Sequence, residues 1–473
     1  MERLKKIGRI EPKSSNMVKH SKIGLGFEKL DRDVFDPEKA YDKVAQLGVK
    51  WIRIQSGWQR TERKAGVYDF SWLDSIVDNL IARGLKPWMC LCYGNGLYDD
   101  LAKNVFGATG CPPIFTEAQR AAWEKYVRAL VRHYKGRILY YEVWNEPDGE
   151  WCWKTGVNAQ ELGEFARNTG RYVKETDAEA KVIGGVVCKR QLAFLNEAFA
   201  AGMGEYIDFV SFHEYTHDET KVFERVNALR ALAKKYNPSI EIIQGESGSQ
   251  SRSGGRGALR TGAWTQEKQA KQLARHTIAD LLTNVHFTSY FSCVDMIEGL
   301  TLSVDEVATS GDYGYFGVLS AEFDENGRST SGYNPKLSYY VLQNIASIFA
   351  ESSAVYELPA IFVPKKSARY FGNDLERSDL TVGGFKNGSG ELMAYWIKSD
   401  IMRGDFEGTI SFELYSEYDS VRIIDVMDGM IYEIPESIVE RDVFGCFHFT
   451  NLPAKDTPLL LEFGDFIEQG KII

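Results

Sequence analysis

Two glutamates, each at the point where an apolar run gives way to polar residues, could carry acid–base chemistry. Glu146 lies in "LYYEVWNEPDGEW", where Pro147 forbids further strand pairing, and Glu246 lies in "IEIIQGESGS". Two carboxyl groups can cleave a glycosidic bond when one stays protonated to donate to the leaving oxygen and the other is ionised to attack the anomeric carbon. Either glutamate alone would more often be a solvated surface residue, so the pair is the informative feature.

A second pattern, the five residues from His213 to His217, reads H-E-Y-T-H and fits H-E-x-x-H. On a helix this spacing places two imidazoles against one zinc ion, with the glutamate as general base. The surrounding segment, "YIDFVSFHEYT", is rich in β-forming residues and is predicted to be a strand. In a strand the two histidines would stand roughly 13 Å apart at about 3.3 Å per residue, too far to share one ion. A zinc peptidase is a minor alternative, which predicts stoichiometric bound metal.

The elements that would position these residues alternate between short apolar runs and longer amphipathic runs. Eight runs are predicted to be strands, with starts near Ile23, Trp51, Lys86, Leu139, Val182, Phe209, Ile240 and Thr288. Each interval leaves room for a helix before the next strand. This alternation predicts an α/β fold, a TIM (β/α)8 barrel whose active-site residues follow the carboxyl ends of the strands. A doubly wound sheet is the alternative, but no G-x-G-x-x-G follows an early strand.

Two of the intervening helices have recognisable end signals. Thr116 and Gln119 have capping-box spacing at the start of "TEAQRAAWEKYVRALVRHYKG", and Gly136 is predicted to end that helix. In "FSWLDSIVDNLIARG", Ser71 is predicted to be the N-cap and Gly84 the stop.

After about Ser352 the pattern changes to short β-branched and aromatic runs between turn residues, without a helical period. These runs predict a C-terminal antiparallel β-sandwich. The predicted domains are a TIM-barrel catalytic domain at residues 18–352 and a β-sandwich domain at residues 353–473. The first 17 residues could lend the sandwich a strand.

Composition restricts the classes of partner and the compartment. The chain has 473 residues and a formal net charge of -10, which argues against a nucleic-acid or anionic-membrane surface. Its amino terminus has no apolar h-region, and no apolar run reaches the roughly 18 to 20 residues of a transmembrane helix, so we expect a cytoplasmic protein. The seven cysteines contain no C-x-x-C pair and are expected to be reduced thiols.

The segments around the two glutamates resemble those of a known group of enzymes. "EVWNEP" on the predicted fourth strand, with "GES" on the seventh, resembles the clan of retaining glycosidases built on TIM barrels. "WIRIQSGWQRTERKAGVYDFSWLD" is similar to the strand-two region of that clan, and "YNPKLSYYVLQNI" to its last barrel helix. A barrel followed by a β-sandwich most resembles family 39, which holds β-xylosidases and α-L-iduronidases.

The resemblance implies a role for each matching residue. By position, Glu146 would be the acid/base, Glu246 the nucleophile and Asn145 a ligand of the sugar 2-hydroxyl. Arg53 would steady the nucleophile. The His-x-Tyr at the end of strand six implies that Tyr215 hydrogen-bonds Glu246 and that His213 contacts the sugar or lies behind the residues that do.

Further side chains have both a functional and a structural interpretation. Glu142 has the strand parity of Glu146 and is expected one layer lower, buried against a cation such as Arg53. Aromatic rings pack on the C–H faces of sugars, and five fall in or near predicted strand-end loops: Trp58, Tyr93, Trp151, Trp153 and Trp264. Trp58 and Trp153 follow their strands most closely and are the predicted substrate contacts. Core or loop packing is the alternative for each.

An arginine-rich segment, "SRSGGRGALR", follows Glu246 and contains Arg252, Arg256 and Arg260. It could clamp the carboxylate of a uronic acid, or it could be a mobile solvated loop.

These observations predict a retaining glycosidase of the β-xylosidase type that acts on the β-glycosidic bonds of short oligosaccharides or glycosides. It would need no cofactor and no metal, and the loop aromatics are compatible with a homo-oligomer. Retention requires carboxyl groups about 5 to 5.5 Å apart. We also expect burial beside Trp144 or Trp153, and the charge of Glu246, to raise the pKa of Glu146. The alternatives are a catalytically silent carbohydrate-binding protein and a glycosidase for a uronic acid-containing substrate.

Overall fold

The computed structural model of the protein describes residues 4–189, 192–363 and 375–467. Its first strand, β1 (Lys5–Arg9), leaves the amino-terminal region to pair antiparallel with a strand near the other end of the chain, Met430–Glu433. The amino-terminal segment therefore contributes a strand to the C-terminal sheets.

Eight parallel strands then close into a barrel, and each pairs with its neighbours in chain order. The barrel strands are β2 (Ile23–Gly26), β3 (Trp51–Gln55), β4 (Lys86–Leu91), β5 (Tyr140–Val143), β6 (Lys181–Val187), β7 (Phe209–His213), β8 (Glu241–Ser247) and β9 (Thr288–Tyr290). Every strand begins within one residue of its predicted start, and the TIM-barrel prediction is confirmed.

Inward-facing residues form layers along the barrel axis because every second residue of a strand faces the same side. An apolar layer closes the amino-terminal end with the side chains of Trp51, Trp88, Ile183, Phe209, Ile243 and Phe287. Two residues further along β3 and β5 lie the buried polar residues Arg53 and Glu142. The barrel therefore has an apolar floor and a polar layer above it, toward the carboxyl ends of the strands.

Helices surround the barrel and follow its strands. They are α1 (Tyr41–Gln46), α2 (Trp58–Thr61), α3 (Ser71–Ala82), α4 (Asp100–Asn104), α5 (Glu117–Tyr134), α6 (Ala159–Thr176), α7 (Leu192–Ala200), α8 (Lys221–Tyr236), α9 (Gln266–Leu282) and α10 (Leu337–Ile348). Among the residues that the structure describes, no helix combines the length and apolar character needed to cross a membrane.

The first residues of α5 and α3 show whether their predicted N-caps are correct. The capping box of α5 is confirmed, because Thr116 accepts a hydrogen bond from the Gln119 backbone at 3.1 Å and Gln119 accepts one from Thr116 in return. The predicted N-cap of α3 is wrong. Ser71 is the first helical residue, and the carboxylate of Asp69 accepts its backbone N–H at 3.0 Å.

The loop between β9 and α10 holds two small antiparallel pairs that the sequence did not reveal. They are formed by β10 (Met296–Ile297) with β11 (Tyr313–Gly314), and by β12 (Leu319–Phe323) with β13 (Ser329–Pro335). The segment predicted to be the last helix begins within β13, so the helix itself starts only at Leu337.

The C-terminal region is antiparallel throughout, as predicted. Its strands are β14 (Ala354–Tyr356), β15 (Ala360–Phe362), β16 (Leu380–Lys386), β17 (Gly390–Ile397), β18 (Glu407–Tyr415), β19 (Val421–Asp425), β20 (Met430–Glu433), β21 (Val439–Arg441), β22 (Cys446–Lys455) and β23 (Leu459–Gly464). One sheet has the order β1-β20-β19-β23-β17-β16-β14 and the other β15-β18-β22-β21. Both contribute side chains to one apolar cluster, including Tyr395, Phe412, Phe449 and Leu461.

A buried carboxylate joins the barrel to these sheets. Glu219, in the loop before α8, accepts hydrogen bonds from Arg275 of α9 at 2.9 Å and from the indole of Trp396 on β17 at 2.7 Å. All three side chains are buried, so each depends on the others to satisfy its polar groups.

We expect Glu219→Ala to lower the free energy of unfolding by about 3 to 5 kcal/mol, because it leaves the Arg275 guanidinium buried without its carboxylate. Urea denaturation followed by tryptophan fluorescence measures the loss. Glu224→Ala, an exposed glutamate of α8, is the control and should change stability by about 0.5 kcal/mol or less. Equal stabilities for the two variants would show that this contact does not hold the barrel against the sheets.

Candidate active site

Glu246 lies near the end of β8, between a cation and a phenol. Its Oε2 is 2.6 Å from Nη1 of Arg53 on β3, and its Oε1 accepts a short hydrogen bond from the Tyr215 hydroxyl. Burial and the charge of Glu246 hold the pKa of Tyr215 well above its ordinary value, so this phenol stays a donor. Both contacts that the resemblance implied for Glu246 are therefore present in the structure.

Glu146 follows β5 in a left-handed backbone conformation, with φ of 43°. Such a conformation is costly for a residue with a side chain and persists only where its surroundings hold it. Its backbone N–H donates to the carbonyl of Val186 at 3.0 Å. Its two carboxylate oxygens face Nδ1 of His213 at 2.9 Å and Nε1 of Trp151 at 2.5 Å. Backbone and side chain are thus both fixed.

The two glutamates face each other across the barrel mouth. One carboxylate oxygen of Glu146, one of Glu246 and a ring nitrogen of His213 all lie within 4.8 Å of one another. An oxygen–oxygen distance of this size is compatible with the carboxyl separation of about 5 to 5.5 Å in a retaining glycosidase.

Arg53 lies beneath the pair and holds several carboxyl groups at once. Besides Glu246, its guanidinium contacts Glu142 at 3.0 Å, the Oδ1 of Asn145 at 2.8 Å and Glu28 at 3.4 Å. The predicted burial of Glu142 against Arg53 is confirmed. Burial works against the charge of Arg53, but Glu142 and the other acids around it raise its pKa well above the ordinary value.

The expected raised pKa of Glu146 is wrong. Burial alone would raise it, but the hydrogen bond and charge of His213, the indole of Trp151 and the charge of Arg53 outweigh burial and lower the pKa of Glu146. Burial likewise opposes the charge of His213, while Glu246 and Glu146 raise its pKa above the ordinary value. In the free protein the Glu146–His213 pair therefore favours carboxylate and imidazolium.

A second carboxyl–cation pair lies beside the first. Glu298 contacts Lys29 at 3.3 Å, and burial raises the pKa of Glu298. Burial also raises the pKa of the neighbouring Glu28 to about 7, against the opposing charge of Arg53. Near neutral pH Glu28 can therefore exist protonated.

These side chains line a cavity of about 550 Å³. Five of the predicted site residues line it, namely Arg53, Asn145, Glu146, Tyr215 and Glu246. His213 is fully buried behind Glu146, so its closest functional contact is the carboxylate rather than the cavity.

The predicted substrate contacts Trp58 and Trp153 are wrong. Trp58 is fully buried, stacks on Tyr126 of α5 and donates its indole N–H to Glu62 at 2.6 Å. Trp153 is equally buried, and its indole N–H points to Glu161. Both rings pack between the barrel and its helices.

Of the five aromatic residues noted in the sequence, Trp151 and Tyr93 do line the cavity, where Trp151 contacts both Glu146 and the ammonium of Lys189. Neither was predicted to contact substrate, and the sequence analysis missed several other lining residues, among them Glu28, Lys29, Phe291, Glu298 and Phe316. The sequence did contain a signal for Glu28 and Lys29, because "FEKL" directly follows the first barrel strand.

The arginine-rich segment divides between two environments. Arg256 and Arg260 line the cavity, whereas the guanidinium of Arg252 lies over the ring of Tyr315 at 4.7 Å.

The H-E-x-x-H pattern does not bring its histidines together. His213 ends β7 and points to Glu146, while His217 stacks on Trp264 with ring centroids 5.5 Å apart. Glu146, His213 and Glu246 are close enough to share an ion. Arg53 already contacts Glu246, however, and a cation there would have to compete with that guanidinium.

The sequence model of glycosyl hydrolases family 39 matches residues 37–243. Two β-xylosidases are similar in sequence. The chain is 28% identical over 186 residues to that of Caldicellulosiruptor saccharolyticus and 29% identical over 160 residues to that of Geobacillus stearothermophilus. These matches cover 37% and 32% of this chain, and they span only 38% and 31% of the length of the two relatives.

The fold also has solved counterparts. A family 39 glycoside hydrolase from Bacteroides cellulosilyticus WH2 superposes with a TM-score of 0.64 at 16% identity, covering 95% of this chain and 82% of that one. At this identity the likeness concerns the fold. The chain is thus similar in sequence, over less than half of its length, to family 39 of the glycosyl hydrolases, and similar in fold to a solved family 39 enzyme.

Proposed function

We propose that the protein is a retaining glycosidase, of the β-xylosidase type, that cleaves the β-glycosidic bonds of short oligosaccharides or glycosides. The observation that carries the proposal is the separation of Glu146 and Glu246, whose nearest oxygens lie within 4.8 Å. The two β-xylosidases that share sequence with this chain support the substrate class.

In the first step Oε1 or Oε2 of Glu246 bonds to the anomeric carbon while the glycosidic bond breaks. Glu146 gives its proton to the leaving oxygen, and the sugar becomes an ester of Glu246. Arg53 and Tyr215 hold Glu246 for attack, and Asn145, which lines the cavity, binds the sugar 2-hydroxyl in this proposal. A water then replaces the leaving group, Glu146 takes a proton from it, and the ester opens with configuration retained.

Glu146 must be protonated before the first step, although His213 and Trp151 favour its anion in the free protein. Two effects act in the required direction when substrate binds. The substrate excludes water, which disfavours the carboxylate form of Glu146. His213 can also transfer its proton to Glu146. Once Glu246 is esterified its negative charge is gone, so Glu146 can serve as a base.

A second candidate is a glycosidase for a uronic acid-containing substrate. Arg256 and Arg260 line the same cavity, and Lys189 reaches it from the opposite loop. Guanidinium groups bind carboxylates through paired hydrogen bonds, so the cavity could accept an anionic sugar.

The domain limits of residues 18–352 and 353–473, a cytoplasmic location and assembly into a homo-oligomer remain predictions. A catalytically silent carbohydrate-binding protein is the alternative from another class, and any turnover that depends on Glu246 would exclude it.

We expect Glu246→Gln to reduce kcat by about 10⁴-fold or more, because the amide cannot form the ester intermediate. Turnover of a panel of aryl β- and α-glycosides, with the first-formed anomer followed by NMR, measures both the loss and the stereochemistry. Glu241→Gln, at the exposed opposite end of β8, is the control and should keep wild-type turnover. Inversion of configuration in the wild type, or full activity of Glu246→Gln, would refute the mechanism.

Replacing His213 with Asn should shift the alkaline limb of the kcat/KM profile to higher pH. The active form needs a protonated Glu146, so kcat/KM falls as the pH rises through the pKa of that group. The positive charge of His213 lowers this pKa, and a neutral side chain lets it rise. His217→Asn is the control, since His217 stacks on Trp264 instead. An unchanged limb, or a shift to lower pH, would contradict the assignment of Glu146 as the acid.

The uronic acid candidate makes its own prediction on the same panel. Turnover of an aryl uronide should exceed that of the matching neutral glycoside, and Arg256→Ala with Arg260→Ala should raise KM for the uronide by about tenfold or more. Arg252→Ala, whose side chain packs on Tyr315, should leave KM unchanged. A preference for neutral glycosides would exclude the candidate.

A further inference from the structure

A cluster of metal-binding side chain types lies far along the chain from the catalytic pair, on the four-stranded sheet. The hairpin of β21 and β22 has Asp442 at its turn, and Cys446 and His448 lie two residues apart on β22. Alternation along a strand places Cys446 and His448 on one face. A carboxylate oxygen of Asp442, the Cys446 sulfur and a ring nitrogen of His448 all lie within 4.8 Å of one another.

The ligand types and their spacing fit one ion. Thiolate, imidazole and carboxylate are the zinc ligands of proteins, and ligands about 2.0 to 2.3 Å from a tetrahedral zinc lie roughly 3.3 to 3.8 Å from each other. In the hairpin, Nε2 of His448 is 3.1 Å from Oδ2 of Asp442. Small rotamer changes would bring the three atoms to the spacing of a bound ion.

Neighbouring groups already orient two of these ligands. Oδ1 of Asp442 accepts the backbone N–H groups of Phe444 at 2.9 Å and Cys446 at 3.0 Å, which leaves Oδ2 to face His448. The other ring nitrogen of His448, Nδ1, lies 3.5 Å from Glu413 of β18. A carboxylate on the far nitrogen is the usual support of a metal-bound histidine, because it fixes the tautomer and the ring orientation.

The charge around the cluster also favours a cation. His448 pairs in register with Glu413 on one side and Glu440 on the other, so two acidic residues flank it in addition to Asp442. The guanidinium of Arg441, the nearest cation along the chain, is engaged with Asp419 at 3.0 Å.

We propose that Asp442, Cys446 and His448 form a binding site for Zn²⁺ or a similar divalent transition metal. The ligands are Oδ2, Sγ and Nε2, and the exposed side of the cluster leaves the fourth position to water. Binding forms a bond from the metal to the sulfur and releases the thiol proton to solvent. The ion joins the turn to β22 and stiffens the edge of the four-stranded sheet.

The test uses the full-length protein, freed of metal and titrated with Zn²⁺ against a chromophoric chelator. Wild type should bind one equivalent, and Cys446→Ser and His448→Asn should lose it. Glu413→Gln should weaken binding by about 10- to 100-fold, since it removes only the support of the histidine. Co²⁺ should give a thiolate charge-transfer band in wild type that is absent in Cys446→Ser.

Glu246→Gln is the matched control, because Glu146, His213 and Glu246 form the other such cluster among the residues that the structure describes. It should keep the equivalent of zinc and the Co²⁺ band, and the hairpin variants should keep wild-type turnover. A thermal melt with and without Zn²⁺ supplies an independent reading, with a rise in Tm in wild type but not in Cys446→Ser. Binding lost only in Glu246→Gln would place the ion in the cavity, and no binding at micromolar Zn²⁺ would overturn the proposal.

Discussion

The site depends on one buried cation. Arg53 is 1% exposed, and a guanidinium so far from water is tolerable only with charged partners around it. Its guanidinium donates hydrogen bonds to Glu246, Glu142, Asn145 and Glu28. Since these four residues belong to or follow three barrel strands, β2, β5 and β8, satisfying one charge also sets the geometry of the Glu146–Glu246 pair. Loss of the arginine would leave several carboxyl groups facing each other without compensation.

The barrel supplies the dry environment that makes those charges effective. Its aromatic floor excludes water from below, so interactions among the polar layer act in a low dielectric. The two glutamates then differ by their neighbours. Glu246 is held by a cation and a phenol, whereas Glu146 is held by an imidazole and an indole that tie its protonation to His213. Glu246 therefore contacts a permanent cation, whereas the protonation of Glu146 is coupled to that of a titratable partner.

Strand order, strand ends and the glutamate pair were predictable from the sequence because they follow from local pattern. Apolar runs of strand length fixed all eight starts within one residue, and residues after a strand in a TIM barrel face one mouth. The choice between Trp58, Trp151 and Trp153 was not predictable, because it depends on which ring meets α5 and which turns toward Glu146. The expectation of a raised pKa for Glu146 was wrong for the same reason. His213 lies 67 residues away in the chain, and its effect comes from a tertiary contact.

The pairing of β1 with β20 makes the barrel an insertion within the C-terminal sheet. During synthesis the first strand emerges from the ribosome before the whole barrel, whereas its partner, Met430–Glu433, emerges only after the barrel. Contacts so distant in sequence form late, because a long loop must close before they contribute. The barrel can therefore assemble while its leading segment is still unpaired, and pairing of β1 with β20 then joins that segment to the C-terminal sheet.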